Sequence, residues 1–120
     1  MKDHVRAAVA YVAGRLISGK ECSAVYDYSN GGHRSIAGTV DRYAVNVHDY
    51  AEGCAFGGSG DGQSFNLHHY GEGCAVSLIV DGASFHGHDY GTGSAYSGTV
   101  QGNSINIYDY GTSGHFSYSI

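Results

Sequence analysis

The chain has 120 residues, which is the length of one domain. It contains 20 Gly, 11 Tyr and 8 His but neither Pro nor Trp, and its formal net charge is -5 at pH 7. All six basic residues lie in the first 42 positions, whereas residues 43–120 carry seven acidic residues and no Lys or Arg. An acidic body of this kind argues against nucleic-acid binding through phosphate neutralisation. No apolar run approaches the ~20 residues that a membrane-spanning helix needs.

The N-terminal segment, residues 1–20, predicts an amphipathic helix over about residues 3–18. Asp3 lies near the start, where a negative charge is favourable, and Gly19 can end the helix. Apolar residues recur there at helical spacing, namely Val5, Ala8, Val9, Val12, Ala13 and Leu16. We expect this helix to pack on the apolar face of a sheet formed by residues 21–120.

Residues 21–120 are dominated by a repeat of 20 residues. Its most visible part is a triplet that occurs as Tyr26-Asp27-Tyr28, His48-Asp49-Tyr50, His68-His69-Tyr70, His88-Asp89-Tyr90 and Tyr108-Asp109-Tyr110. Each unit contains two short runs of alternating apolar and polar residues, which is typical of strands. The pattern therefore predicts five hairpin units with about ten strands, a mainly β domain behind an N-terminal helix.

The alternation separates an apolar face from a polar face, as an antiparallel sheet with one wet side requires. The apolar face carries Val45, Val47, Phe56, Phe65, Leu67, Val76, Leu78, Val80, Phe85, Tyr96, Val100, Ile105, Ile107, Phe116, Tyr118 and Ile120. The pairs Thr92-Gly93 and Gly102-Asn103 suit two-residue hairpin turns. With such turns at both ends, Phe85 would lie opposite Val100, and Val100 opposite Ile105, so the register would stay constant across the sheet.

Three architectures fit the repeat: an open antiparallel meander, a β-solenoid and a closed barrel. A barrel needs a register that staggers around its circumference, and a constant register supplies none. In a solenoid, Asp89 would stack on Asp109 at ~4.8 Å, which is unfavourable for like charges. We therefore expect the open meander, with the solenoid as the alternative. A disulfide between Cys54 and Cys74 within one chain would favour the solenoid, because those residues are too far apart in a meander.

An open meander also predicts self-association. A helix of about 16 residues is roughly 24 Å long, and ten strands make a sheet about 45 Å wide, so much of the apolar face would stay bare. The last strand, His115 to Ile120, carries no charge or Pro to protect it as an edge. These features predict a non-enzymatic structural or protein-interaction module that forms a homo-oligomer through this face or edge.

The polar face supports an alternative function, the binding of a carbohydrate or a metal. One row consists of His48, His68 and His88, and the next of Tyr50, Tyr70, Tyr90 and Tyr110. Because a tyrosine offers an apolar ring and a polar tip, a flat array of this kind could hold a repetitive ligand at several points. His86 and His88 share one face of a strand and are the best candidate pair for a metal.

Catalysis is not predicted, and neither is a cofactor. Adjacent residues of a strand point to opposite faces, so His88 and Asp89 cannot form a catalytic pair. The chain contains no Gly-x-Ser-x-Gly elbow, phosphate loop or His-Glu-x-x-His motif. The three cysteines form no Cys-x-x-Cys pair. The apolar stretch near the N-terminus is a poor signal peptide, because Asp3 precedes it and Arg15 follows it. We expect a cytoplasmic protein with reduced thiols.

Overall fold

A computed structural model describes all 120 residues as one helix followed by ten antiparallel strands, which confirms the predicted elements. The helix α1 spans Asp3–Ser18 and ends at Gly19, whose φ is +72°. The strands are β1 (Ala24–Asp27), β2 (Gly32–Val40), β3 (Ala44–Asp49), β4 (Cys54–Gly60), β5 (Ser64–His69), β6 (Cys74–Asp81), β7 (Ser84–Asp89), β8 (Ser94–Gln101), β9 (Ser104–Asp109) and β10 (Gly114–Ser119).

The sheet closes into a ten-strand barrel, so the predicted open meander and its solenoid alternative are both wrong. Each strand pairs with its neighbours in the chain, and β1 pairs with β10 to complete the ring. In that closing pair, Tyr26 lies opposite Ser119 and Asp27 opposite Tyr118. The last strand is therefore no free edge.

Two kinds of turn produce the stagger that closure requires. The two-residue turns at Gly82-Ala83 and Gly102-Asn103 form as predicted, between strand ends that pair directly. At the other end of the sheet the strands are joined by loops of four residues, as between Asp89 and Ser94. Phe85 therefore lies opposite Gly98 rather than Val100, and Gly98 lies opposite Ile107. Equivalent residues of neighbouring units are displaced by two positions, and this displacement accumulates around the ring.

Glycines let neighbouring strands approach closely where the wall bends. A Cβ atom at Gly58 would collide with the backbone carbonyl of Asn66, and one at Gly98 with that of Asn106. Any larger residue at these positions would push the strands apart, which explains glycine inside an otherwise alternating strand.

The helix α1 fills the lumen of the barrel. All ten residues from Val5 to Gly14 are buried, which places every side of the helix against the wall. The helix packs against strands on different sides of the ring, including β1, β2, β6, β8 and β9. Its small residues Ala7, Ala8, Ala10 and Ala13 are completely buried, and they leave room for the larger side chains of the wall.

The apolar face of the sheet is thus covered within one chain. Val45, Phe65, Phe85, Val100 and Ile105 are each at most 4% exposed and belong to one core cluster with the helix. The expectation that one helix leaves this face bare is wrong, because the sheet is rolled around the helix instead of lying flat beneath it. The helix is too short and too weakly apolar to cross a membrane.

The two ends of the barrel differ. We call the end with the four-residue loops the loop end; these loops are residues 28–31, 50–53, 70–73, 90–93 and 110–113. The other end, with the tight turns, is the turn end. The helix begins at the loop end, where Arg6 contacts Asp109, and reaches the turn end at Arg15, whose Nη1 donates to the carbonyl of Gly38 at 2.7 Å.

Candidate functional site

Five exposed tyrosines encircle the loop end on the outside of the barrel. Each is the first residue of a four-residue loop, and each ring is between 58% and 64% exposed. We call them the tyrosine belt: Tyr28, Tyr50, Tyr70, Tyr90 and Tyr110. Four of them are the predicted Tyr row, and the fifth belongs to the unit that contains β1. The belt is the largest set of exposed aromatic side chains on the molecule.

Each belt tyrosine is held against a second ring two residues earlier in the chain. The five pairs are Tyr26–Tyr28, His48–Tyr50, His68–Tyr70, His88–Tyr90 and Tyr108–Tyr110. In all of them the ring centroids are 4.6–4.8 Å apart and the planes meet edge to face. The structure thus brings together the predicted His and Tyr rows in three of the five units, and it orients every belt ring by a neighbour.

The belt is curved, whereas the sequence suggested a flat array. Successive members lie on alternate strands, roughly 9–10 Å apart at the usual strand spacing. Because five members share one closed ring, each faces outward about a fifth of a turn from the next. A single small ligand can therefore touch two neighbouring members at most. The expectation of a flat array is wrong, because the sheet closes into a barrel.

The predicted metal pair lies on the outer face of β7. His88 is engaged edge to face with Tyr90 at 4.7 Å, and His86 lies opposite Ser97 of the next strand. The structure contains no group of three or more His, Cys, Asp or Glu side chains that could hold a metal ion. Metal binding by His86 and His88 therefore stays a prediction, and the chain supplies no third ligand beside this pair.

The inner face of the loop end carries a ring of polar residues that the sequence analysis did not single out. Its members are Asp27, Asp49, His69, Asp89 and Asp109, each at most 3% exposed. Their side chains accept hydrogen bonds from the backbone of the adjoining loop; Asp89 Oδ1, for example, accepts from Gly91 N at 2.8 Å. They continue the series of alternate, inward-facing positions to which Val45 and Val47 belong. That alternation is the signal in the sequence that would have revealed them. This ring shapes the loops and so positions the tyrosine belt.

The start of α1 neutralises part of this ring. Arg6 Nη1 donates to Asp109 Oδ2 at 3.1 Å, and the Met1 amino group lies 3.0 Å from the same oxygen. Burial opposes the charge on Asp109, but hydrogen bonds from the Met1 amino group and from Gly111 hold its pKa below the usual range. Burial raises the pKa of Tyr118, whose hydroxyl accepts from Arg6 Nε, to about 12.

A second cluster joins the helix to the loops of the β3–β6 sector. Lys2 Nζ lies 2.7 Å from Glu72 Oε1 and His4 Nε2 lies 2.8 Å from Glu72 Oε2, and these contacts lower the pKa of Glu72. Burial, with His4 nearby, lowers the pKa of His69, and its Nδ1 accepts a hydrogen bond from the backbone N–H of Glu72. The cluster ties the helix in place.

Two of the three cysteines, Cys54 and Cys74, show no sign of nucleophilic activation. Burial raises the pKa of the Cys54 and Cys74 thiols, with carboxylates adding to the effect. A catalytic cysteine needs the opposite shift in pKa.

His88 and Asp89 lie on opposite sides of the barrel wall, as the alternation predicts. Asp89 is 1% exposed on the inner face, whereas His88 packs against Tyr90 on the outer face.

The surface has two sizeable depressions. One, of about 620 Å³, lies at the turn end, where Arg15 is accompanied by the carboxylates of Glu21 and Asp41, so its lining favours no single ligand charge. The other, of about 430 Å³, lies on the outer wall over β7 to β10 and includes His86 and Tyr108. The second depression adjoins the tyrosine belt.

Comparison of the chain with protein-family models, with curated proteins and with solved structures found no match. The function must therefore be argued from the chemistry of the exposed residues, since a fold by itself does not define an activity.

Proposed function

We propose that the protein is a non-enzymatic binding module whose tyrosine belt binds carbohydrate. The observation that carries the proposal is the set of five exposed rings, each held edge to face by a neighbour at 4.6–4.8 Å. Rings that are ordered before binding lose little conformational freedom when a ligand arrives. An exposed tyrosine ring can lie against the C–H face of a sugar while its hydroxyl bonds to the sugar's hydroxyls.

The curvature of the belt limits what can be bound. Two neighbouring pairs, such as His88–Tyr90 and Tyr108–Tyr110, form one sector, and each sector suits a short stretch of a chain of sugars. A long polysaccharide would contact one sector of a given molecule and further molecules along its length. Multivalency would then arise between protein molecules rather than within one.

The test is binding to maltohexaose, cellohexaose, chitohexaose and mannohexaose, measured by isothermal titration and by the rise in melting temperature. The double variant Tyr90→Ser, Tyr110→Ser is expected to weaken binding of the best of these probes at least tenfold. The matched control is Tyr43→Ser, because Tyr43 is 66% exposed but lies between β2 and β3 at the turn end. If none of the four probes binds the unaltered protein, the proposal is wrong.

Association with a protein, including a second copy of this chain, is the second candidate function. The same exposed tyrosines favour it, since such residues are enriched at protein interfaces. The two surfaces on which the sequence-based prediction of self-association rested, a bare apolar face and a free last strand, are absent from the closed barrel. Light scattering at neutral pH and near pH 5 tests this candidate: a dimer supports association through the belt, and a monomer at both values rejects self-association.

A further inference from the structure

The depression over β7 to β10, which we call the β8 groove, has a floor of small residues and walls of larger ones. Ser97, Gly98 and Thr99 of β8 form the floor. The walls are His86 of β7, Asn106 and Tyr108 of β9 and His115 of β10. Its volume of about 430 Å³ is in the range of small-molecule sites, and one of its lining residues, Tyr108, contacts Tyr110 of the tyrosine belt.

The repeat is broken at two positions of this groove, each time by a histidine. His86 stands where other units have Asn46, Asn66 and Asn106. His115 stands where other units have Ala55, Ala75 and Ala95, and its ring contacts that of Tyr108. Because the fold forms with the common residues elsewhere in the ring, closure of the barrel does not require these exceptions. Departures from a regular pattern tend to mark functional positions.

The lining selects an uncharged ligand. None of the nine lining residues is Lys, Arg, Asp or Glu. The groove instead offers hydroxyls from Ser97 and Thr99, an amide from Asn106 and the imidazole of His86. Groups of this kind exchange hydrogen bonds with a ligand rich in hydroxyls, whereas a phosphate or carboxylate would find no Lys or Arg.

Two contacts orient the walls. The ring of Tyr108 is held between His115 and Tyr110, with both centroid distances 4.6 Å. The Oδ1 atom of Asn106 accepts from Ser117 Oγ at 2.9 Å, which directs the amide nitrogen away from that contact. The groove thus combines a positioned aromatic ring with a positioned amide.

We propose that the β8 groove is the main subsite for one pyranose ring of a neutral oligosaccharide. The sugar's C–H face lies on Tyr108, and its hydroxyls bond to Ser97, Thr99, Asn106 and His86. This inference rests on the proposed carbohydrate-binding function and assigns that function to one sector of the belt. The remaining sectors, which lack His86 and His115, bind the same probes weakly or not at all.

The test uses residues that the barrel already tolerates at equivalent positions. Thr99→Ile fills the floor of the groove with the residue found at Ile79 in the same column, and Ser59→Ile is the matched control on β4, outside the groove. His86→Asn and His115→Ala restore the residues of the other units. All four variants are first shown to keep the melting temperature of the unaltered protein to within a few degrees.

The affinity of each variant is then measured by titration with the hexasaccharide that binds the unaltered protein best. Thr99→Ile is expected to weaken binding at least tenfold, His86→Asn about three- to tenfold, and Ser59→Ile less than twofold. If Thr99→Ile binds as tightly as the unaltered protein while the Tyr90→Ser, Tyr110→Ser variant loses affinity, the groove is not the main subsite. The proposed function of the belt then still stands. Absence of binding by the unaltered protein to all four hexasaccharides overturns the proposed function itself, and the groove with it.

Discussion

The inner and outer faces of the barrel wall are built from alternate residues of the same strands, yet they obey different constraints. Inward residues pack against the helix in one core cluster, so their size is restricted by close packing. Outward residues meet solvent, and there single units depart from the repeat without disturbing the core, as at His86 and His115. The comparison teaches that the inner face determines whether the barrel forms, while the outer face is available for binding.

The largest difference between the faces is expected for a buried charge. Val100→Asp places an unpaired carboxylate in the lumen, where Val100 is 4% exposed. The cost of several kcal/mol is a large part of the roughly 5–15 kcal/mol that stabilises a domain. We expect an insoluble or unfolded protein, whereas Gln101→Asp, one residue on and outward, stays folded. Circular dichroism and gel filtration distinguish these results, and a soluble, folded Val100→Asp protein of normal stability would refute the inward assignment.

A smaller effect is expected where the wall is most closely packed. Gly58→Ala forces a Cβ atom into the backbone carbonyl of Asn66, at a cost of about 1–3 kcal/mol for overpacking. Gly32→Ala is the control, because a Cβ atom there meets nothing within 4 Å. Urea denaturation measures both. Equal stability of the two variants would mean that close strand contact at Gly58 does not help to bend the wall.

The smallest effect concerns two adjacent histidines on opposite faces. The pKa of buried His69 is lowered, so below about pH 6.5 the unfolded chain binds a proton that the folded chain does not. Stability therefore falls as the pH drops from about 6.5 toward the folded-state pKa, by at most about 1.4 kcal/mol per pH unit from this one group. His69→Asn accepts a hydrogen bond without titrating and should flatten the stability profile between pH 6.5 and 5. His68→Asn alters the outer face and should keep the slope; an unchanged slope in His69→Asn would exclude the buried imidazole as its source.

The elements of the fold could be predicted from the sequence, but their closure could not. Helical spacing from Val5 to Leu16 and period-two alternation indicate which residues form α1, which form strands and which face inward. Closure depends on a displacement of two residues, which follows from the length of the loops. Thr92-Gly93 looks like a two-residue turn, yet Asp89 accepts the N–H of Gly91 and stabilises a loop of four residues. Such a side-chain contact leaves only a weak trace in the sequence.

The candidate site was predicted in its members but not in its shape. The His and Tyr rows were visible because they recur, and their pairing within units follows from alternation along a strand. Their curvature follows from closure and was therefore missed. The groove was missed for the opposite reason: a search for repetition draws attention to what the units share, whereas His86 and His115 differ from their counterparts in the other units.

The small residues of the helix have a consequence for how such a chain can change in length. A stack of open repeats can gain or lose a unit at its end, since each unit touches only its neighbours. Here a sixth unit would widen the ring, and the slender column of Ala7, Ala8, Ala10 and Ala13 would no longer fill it. A barrel of only four units would be too narrow to hold a helix of this diameter. The diameter of the helix therefore matches a ring of five units. Duplication of one unit would be tolerated only if the helix changed as well.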